Sequence, residues 1–118
     1  MYDLVDRPVA DLPAWERGLL GATRRWTHAF SIAGAEAASG GDDPFDDVMG
    51  ALDRGSSTDL VIQRPCFATV EETEAVILSL WRLVRDHRDA GARDLARLLV
   101  DPRHAGLLVD GMGRALGH

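Results

Sequence analysis

Apolar residues recur at alternating steps of three and four through the first third of the chain: Leu12, Trp15, Leu19, Ala22, Trp26, Ala29 or Phe30, Ala33 and Ala37. That spacing draws one stripe along an α-helix. Asp11 suits its cap, Pro13 its first turn, and "SGG" at 39–41 its end. A helix of about 25 residues is roughly 37 Å long, more than a small globule buries alone, so the pattern predicts a kink at Gly34 or pairing with another chain.

"DDPFDDVMGALDRG" predicts a short helix. Asp43 caps it, Pro44 takes the first helical position, Asp46 and Asp47 face the positive end of the helix dipole, and Gly55 closes it. Phe45, Val48, Met49 and Leu52 form its buried side. "STDLVIQRP" (57–65) is the one segment of strand character. A lone strand leaves its backbone groups unpaired, so it is expected as an extended connection or as a pairing edge in a dimer.

Thr69 followed by Glu72 reads as a capping box, opening a helix that runs to about Ala90 before Gly91. Val76, Ile77, Leu80, Trp81 and Val84 mark one face, and Leu78 and Leu83 widen it beyond half the circumference, which makes this the central helix. "ARDLARLLV" (92–100) predicts a further helix with Leu95, Leu98 and Leu99 inward, stopped by Asp101-Pro102. The last helix carries Leu108, Met112 and Leu116 inward, and its Gly106, Gly111 and Gly113 suggest close packing. The expected fold is all-α: a single domain over 1–118, about five helices around one central apolar helix, with a short extended segment and residues 1–10 as an N-terminal extension.

Composition narrows the chemistry. The chain has 46% hydrophobic and 27% charged residues, the balance of an ordinary folded domain. Its single cysteine, Cys66, excludes an intrachain disulfide framework and any Cys-rich metal site, which points to the cytoplasm. The acidic N-terminus has neither the basic region nor the apolar run of a secretory signal, and "AVILSLWRLV" is too short to span a bilayer. All basic residues are arginine, and there is neither lysine nor asparagine, a usage that fits a GC-rich bacterial genome. No lysine is present to form a Schiff base or hold a P-loop phosphate.

The net charge of -6 is concentrated in 42–59, where six aspartates face Arg54. Phosphate binding needs a concentrated basic face, so a nucleic-acid partner is not expected. Arg82, Arg85, Arg93 and Arg97 have acids interleaved among them. The aspartates of 42–47 lack the ligand spacing and closing glutamate of an EF-hand, and no two histidines stand three to five residues apart, so neither a metal nor a cofactor is expected.

Cys66 lies just ahead of the helix expected from Thr69, where a helix dipole lowers a thiol pKa. As a nucleophile it needs a base, for which His28 and His87 are the candidates. As a structural residue, Cys66 with Phe67 packs under the first helical turn, in the manner of a staple. Trp15, Trp26 and Trp81 fall on or beside apolar faces and are expected in the core before a ligand pocket.

"LLGATRR" in the first helix, then "VMGAL", then the extended step "IQRPC" leading into T-x-x-E, together resemble a family of small, functionally uncharacterised alphaproteobacterial proteins. The family pattern has further cysteines after the first, whereas here Phe67 follows Cys66, a departure that removes any metal or disulfide role for the motif. The resemblance implies a bacterial origin and supplies no activity.

The function expected is therefore a non-enzymatic one: a small cytoplasmic bacterial helical protein acting through protein–protein contact or regulation, as a homodimer. The alternatives are a ligand-binding or thiol-dependent enzyme using Cys66 with His28 or His87, and, third, a helix-turn-helix regulator.

Overall fold

Five α-helices stand among the residues that the computed structural model describes, 4–33, 44–55, 62 and 68–117. They are α1 (Ala14–Ala33), α2 (Pro44–Gly55), α3 (Glu72–Arg85), α4 (Asp89–Ala96) and α5 (Pro102–Ala115), preceded by a 3-10 turn at Val9–Asp11. The protein is all-α. The extended segment expected at 57–65 lies outside the described residues except for Ile62, which is half-buried with no regular structure.

Residue contacts divide the chain into two units, one of 1–38 and 61–79, the other of 39–60 and 80–118. Helix α3 contributes to both. In the first unit Leu4, Leu12 and Leu20 pack with Val70, Ala75 and Leu78, edged by Val5, Val9 and Leu19. Residues 6–9 run antiparallel to 68–70: the N–H of Asp6 donates to Val70 O (2.9 Å), that of Val70 to Arg7 O (3.0 Å) and that of Val9 to Ala68 O (2.8 Å). These bonds tie the segment that precedes α1 to the approach to α3.

Two helix starts differ from the sequence reading. Asp11 ends the 3-10 turn and does not cap α1; the Pro13 carbonyl accepts the first helical bond, from Arg17 N–H at 2.9 Å. Helix α3 begins at Glu72, because Thr69 is held in the bridge to Pro8. Its cap is Glu71, whose carbonyl accepts from Ala75 N–H (2.8 Å) and whose N–H donates to Glu74 Oε1 (2.9 Å). This is the reciprocal half of a capping box, set two residues later than Thr69/Glu72.

The buried face of α1 is rotated by about one residue, or 100°, from the apolar stripe. Glu16, Leu20, Thr23 and Arg24 are buried, whereas Trp15, Leu19, Ala22 and Trp26 are half-buried. The Thr23 hydroxyl is satisfied within the helix, donating to Leu19 O at 2.8 Å. Along α3, by contrast, every residue of 74–81 is buried, as expected of the central helix.

Helix α3 ends at Arg85, short of Ala90. His87 takes φ 59°, its N–H donates to Val84 O (3.1 Å), and Arg88 N–H donates to Leu83 O (2.8 Å). That pair of bonds is a Schellman closure with histidine in the left-handed position usually filled by glycine. Helix α4 therefore starts at Asp89 and ends at Ala96. Leu98, expected inward, leaves the helical stripe in the turn that follows and is exposed, while Leu99 stays buried.

In the second unit α5 packs on α2 and α4. Val48, Met49 and Leu52 of α2 and Leu108, Val109 and Met112 of α5 are buried, as are Ala92 and Ala96 of α4. The close packing expected at Gly106, Gly111 and Gly113 does not require glycine: a Cβ at Gly111 would meet Val48 Cγ2 at 3.4 Å, an ordinary van der Waals distance, and Gly106 and Gly113 have nothing within 4 Å. Phe45 stacks on Trp81 with ring centroids 6.2 Å apart, a favourable aromatic separation. Among the described residues no helix is long and apolar enough to cross a membrane.

Candidate functional site

Of the residues singled out for chemistry, Cys66 lies outside the described residues. His28 is exposed on α1 in the first unit, and His87 is exposed in the turn after α3 in the second. The left-handed backbone of His87 serves the helix closure described above. Trp81 is buried and Trp15 and Trp26 are half-buried.

The most constrained polar group in the first unit was not singled out from the sequence. Arg24 of α1 and Glu74 of α3 form a bidentate pair, with Nε to Oε2 at 2.7 Å and Nη2 to Oε1 at 2.8 Å, and their side chains are 1% and 0% exposed. Nη2 also donates to the Thr69 carbonyl at 2.8 Å. Glu74 Oε1 in turn accepts the Glu71 N–H. Two charges this deep are tolerated because each is paired and hydrogen-bonded in planar fork geometry. Chemically the arrangement is a clasp: it fastens α1, the 68–70 segment and the start of α3, with the carboxylate turned to its protein donors.

A second cluster sits where α2 meets α5. Asp101 caps α5, its Oδ1 accepting from His104 N–H at 3.0 Å and from His104 Nδ1 at 2.8 Å. A carboxylate oxygen only accepts, so in the second bond the ring donates from Nδ1. The hydrogen bond from the His104 side chain is the main cause holding the Asp101 carboxyl below its ordinary value; desolvation opposes it, and the His104 N–H and the charges of His104 and Arg103 add to it. Asp101 N–H donates to Gly55 O at 2.9 Å. A Cβ on Gly55 would lie 2.5 Å from His104 Cβ, so only glycine fits there. The i, i+3 relation of Asp101 and His104 was the visible signal of this pair.

An open cleft of about 350 Å³ in the second unit is lined by Val84, Val109, His87, Asp89, Asp110 and Arg114 among others. Its lining mixes both signs of charge over a small apolar area. The arginines considered as a basic strip are engaged with acids: Arg85 with Asp86 (3.3 Å), Arg93 with Asp110 (3.8 Å) and Arg97 with Asp94 (3.5 Å). Arg82 is half-buried. Among the described residues no group of three or more His, Cys, Asp or Glu is arranged to hold a metal ion.

The remaining surface feature is apolar. Leu98 and Leu107 are 57% and 62% exposed, in the turn before α5 and on α5 itself. Along α5 the exposed residues Arg103, Leu107, Asp110 and Arg114 follow at steps of four, three and four, the spacing of one helix face. The site's class is thus a helical surface on an all-α scaffold. No family model matches the chain, and neither the curated proteins nor the solved structures include a match to it.

Proposed function

We propose that this is a small, non-enzymatic bacterial protein of the cytoplasm that works through protein–protein contact, with a second copy of itself as its first partner. The observation that carries the reading is the outer face of α5. A large leucine, 62% exposed, is flanked one turn away on each side by charged residues of the same stripe. An apolar centre with a polar rim is the composition of an interface. The polar clusters of the described residues support the reading in another way: the Arg24–Glu74 clasp and the Asp101–His104 cap are spent on holding helices.

Native mass spectrometry of the purified protein tests this directly. An oligomer without added mass is expected. A monomer carrying a defined extra mass would overturn the reading in favour of a ligand-binding protein. Alkylation of Cys66 adds a second check: slow labelling near neutral pH that accelerates only in denaturant is expected, and fast labelling with a reactivity pKa below the ~8.5 of a free thiol would support a thiol enzyme instead.

A further inference from the structure

We infer that two copies of the chain pair through the outer face of α5, antiparallel about a two-fold axis beside Leu107. This rests on the interaction reading above and names its surface. Arg103, Leu107, Asp110 and Arg114 lie within a narrow arc of α5, opposite the buried Ala105, Leu108 and Met112. A two-fold interface brings the same patch from each copy together, so the patch has to complement itself. This one does, in one register. When Arg103 of one copy is set against Asp110 of the other, symmetry sets the second Asp110 against the second Arg103. The axis then falls between positions 106 and 107. The two Leu107 side chains meet within about one residue's rise, 1.5 Å, of each other along the helix.

Arginine against aspartate on both sides of a leucine pair is an apolar centre with a charged rim that also fixes register. The parallel alternative sets like charges together at both positions. Gly106, beside the axis, has no heavy atom within 4 Å of where a Cβ would stand, so the helix surface there is open to an approaching neighbour. Asp110 also lies 3.8 Å from Arg93 within its own chain, with both side chains more than half exposed. It is near enough to neutralise but loose enough to re-aim. One helix pair buries less than a standard interface, so the association is weak and depends on concentration.

Sedimentation of the full chain over a concentration series reads this out, with circular dichroism confirming that each variant is folded. The wild type is expected to shift from monomer to dimer. Leu107→Glu and Arg103→Asp should each weaken association at least tenfold, the second by setting aspartate against Asp110. The double exchange Arg103→Asp with Asp110→Arg should restore it, a recovery that a merely structural role for either residue does not give. A wild type that stays monomeric to its solubility limit overturns both this pairing and the homodimer. A dimer indifferent to Leu107→Glu overturns this face and, with it, the observation argued above, while the homodimer itself stands on the measured mass. Loss in Arg103→Asp without recovery in the double exchange overturns the antiparallel register.

Discussion

Removing the charge of Glu74 tests how the first unit is held. In Glu74→Gln the shape is kept, and the amide oxygen still accepts the Glu71 N–H, but the Arg24 guanidinium, 1% exposed, loses its counter-ion. Breaking a buried pair by deleting one partner destabilises by ~3–5 kcal/mol, and glutamine should fall near the lower end because the cap survives. Glu74→Ala also leaves the Glu71 N–H without its acceptor, which adds about 1 kcal/mol. Against a total stability of roughly 5–15 kcal/mol, that is a large fraction of what holds the fold. Replacing both partners with leucine should recover most of the loss, because no unpaired charge remains and such exchanges are often neutral or better. Urea titration followed at 222 nm, with tryptophan fluorescence in parallel, gives the midpoints. A Glu74→Gln loss below about 1 kcal/mol, the size of an exposed pair, would refute the reasoning and mean that water reaches the clasp.

The glycines separate packing from propensity. Gly55→Ala should destabilise by about 1–3 kcal/mol through overpacking against His104, whereas Gly18→Ala and Gly106→Ala, with open space for a Cβ, should each stabilise by roughly 0.5–1 kcal/mol; thermal melts check all three. His87→Val should lower stability by about 1 kcal/mol or more, since a β-branched residue resists the left-handed backbone, while glycine is tolerated there. Because Asp101 titrates lower folded than unfolded, its stabilisation is complete above the ordinary value of 3.8 and is lost as pH falls through the lower folded value. The stability difference between wild type and Asp101→Asn should therefore shrink as pH falls below about 4, as measured by urea midpoints across that range.

Apolar period and cap chemistry carried the all-α class and the bounds of α2 at Pro44 and Gly55. Each is decided within one or two turns of chain. What stayed hidden depends on distant partners. The apolar stripe of α1 treats Glu16 and Arg24 as solvent-facing, and only the arrival of Glu74, fifty residues away, makes an inward guanidinium tolerable. Thr69 has the right side chain for a cap, but pairing with Pro8 takes it, a contact that spacing cannot reveal. The end of α3 was missed for a local reason: the left-handed position holds histidine, so neither glycine nor proline marks the break. At the candidate surface, Leu107 was legible as a residue but not as exposed, because only the packing of α5 on α2 and α4 decides which leucines face out.

Glu74 Oε1 accepts from both Arg24 and the backbone N–H of Glu71. The same oxygen thus ends a helix locally and closes a loop of long range. Loop closure over such a separation is entropically slow compared with helix growth, so in refolding the first turn of α3 should stay frayed until α1 docks, even after the rest of α3 has formed. Amide exchange offers a native-state view of the same order. The Glu71 N–H should exchange by the opening that releases Arg24, not by the fraying expected of a helix end, and Arg24→Leu should raise its exchange rate far more than that of amides in the middle of α5.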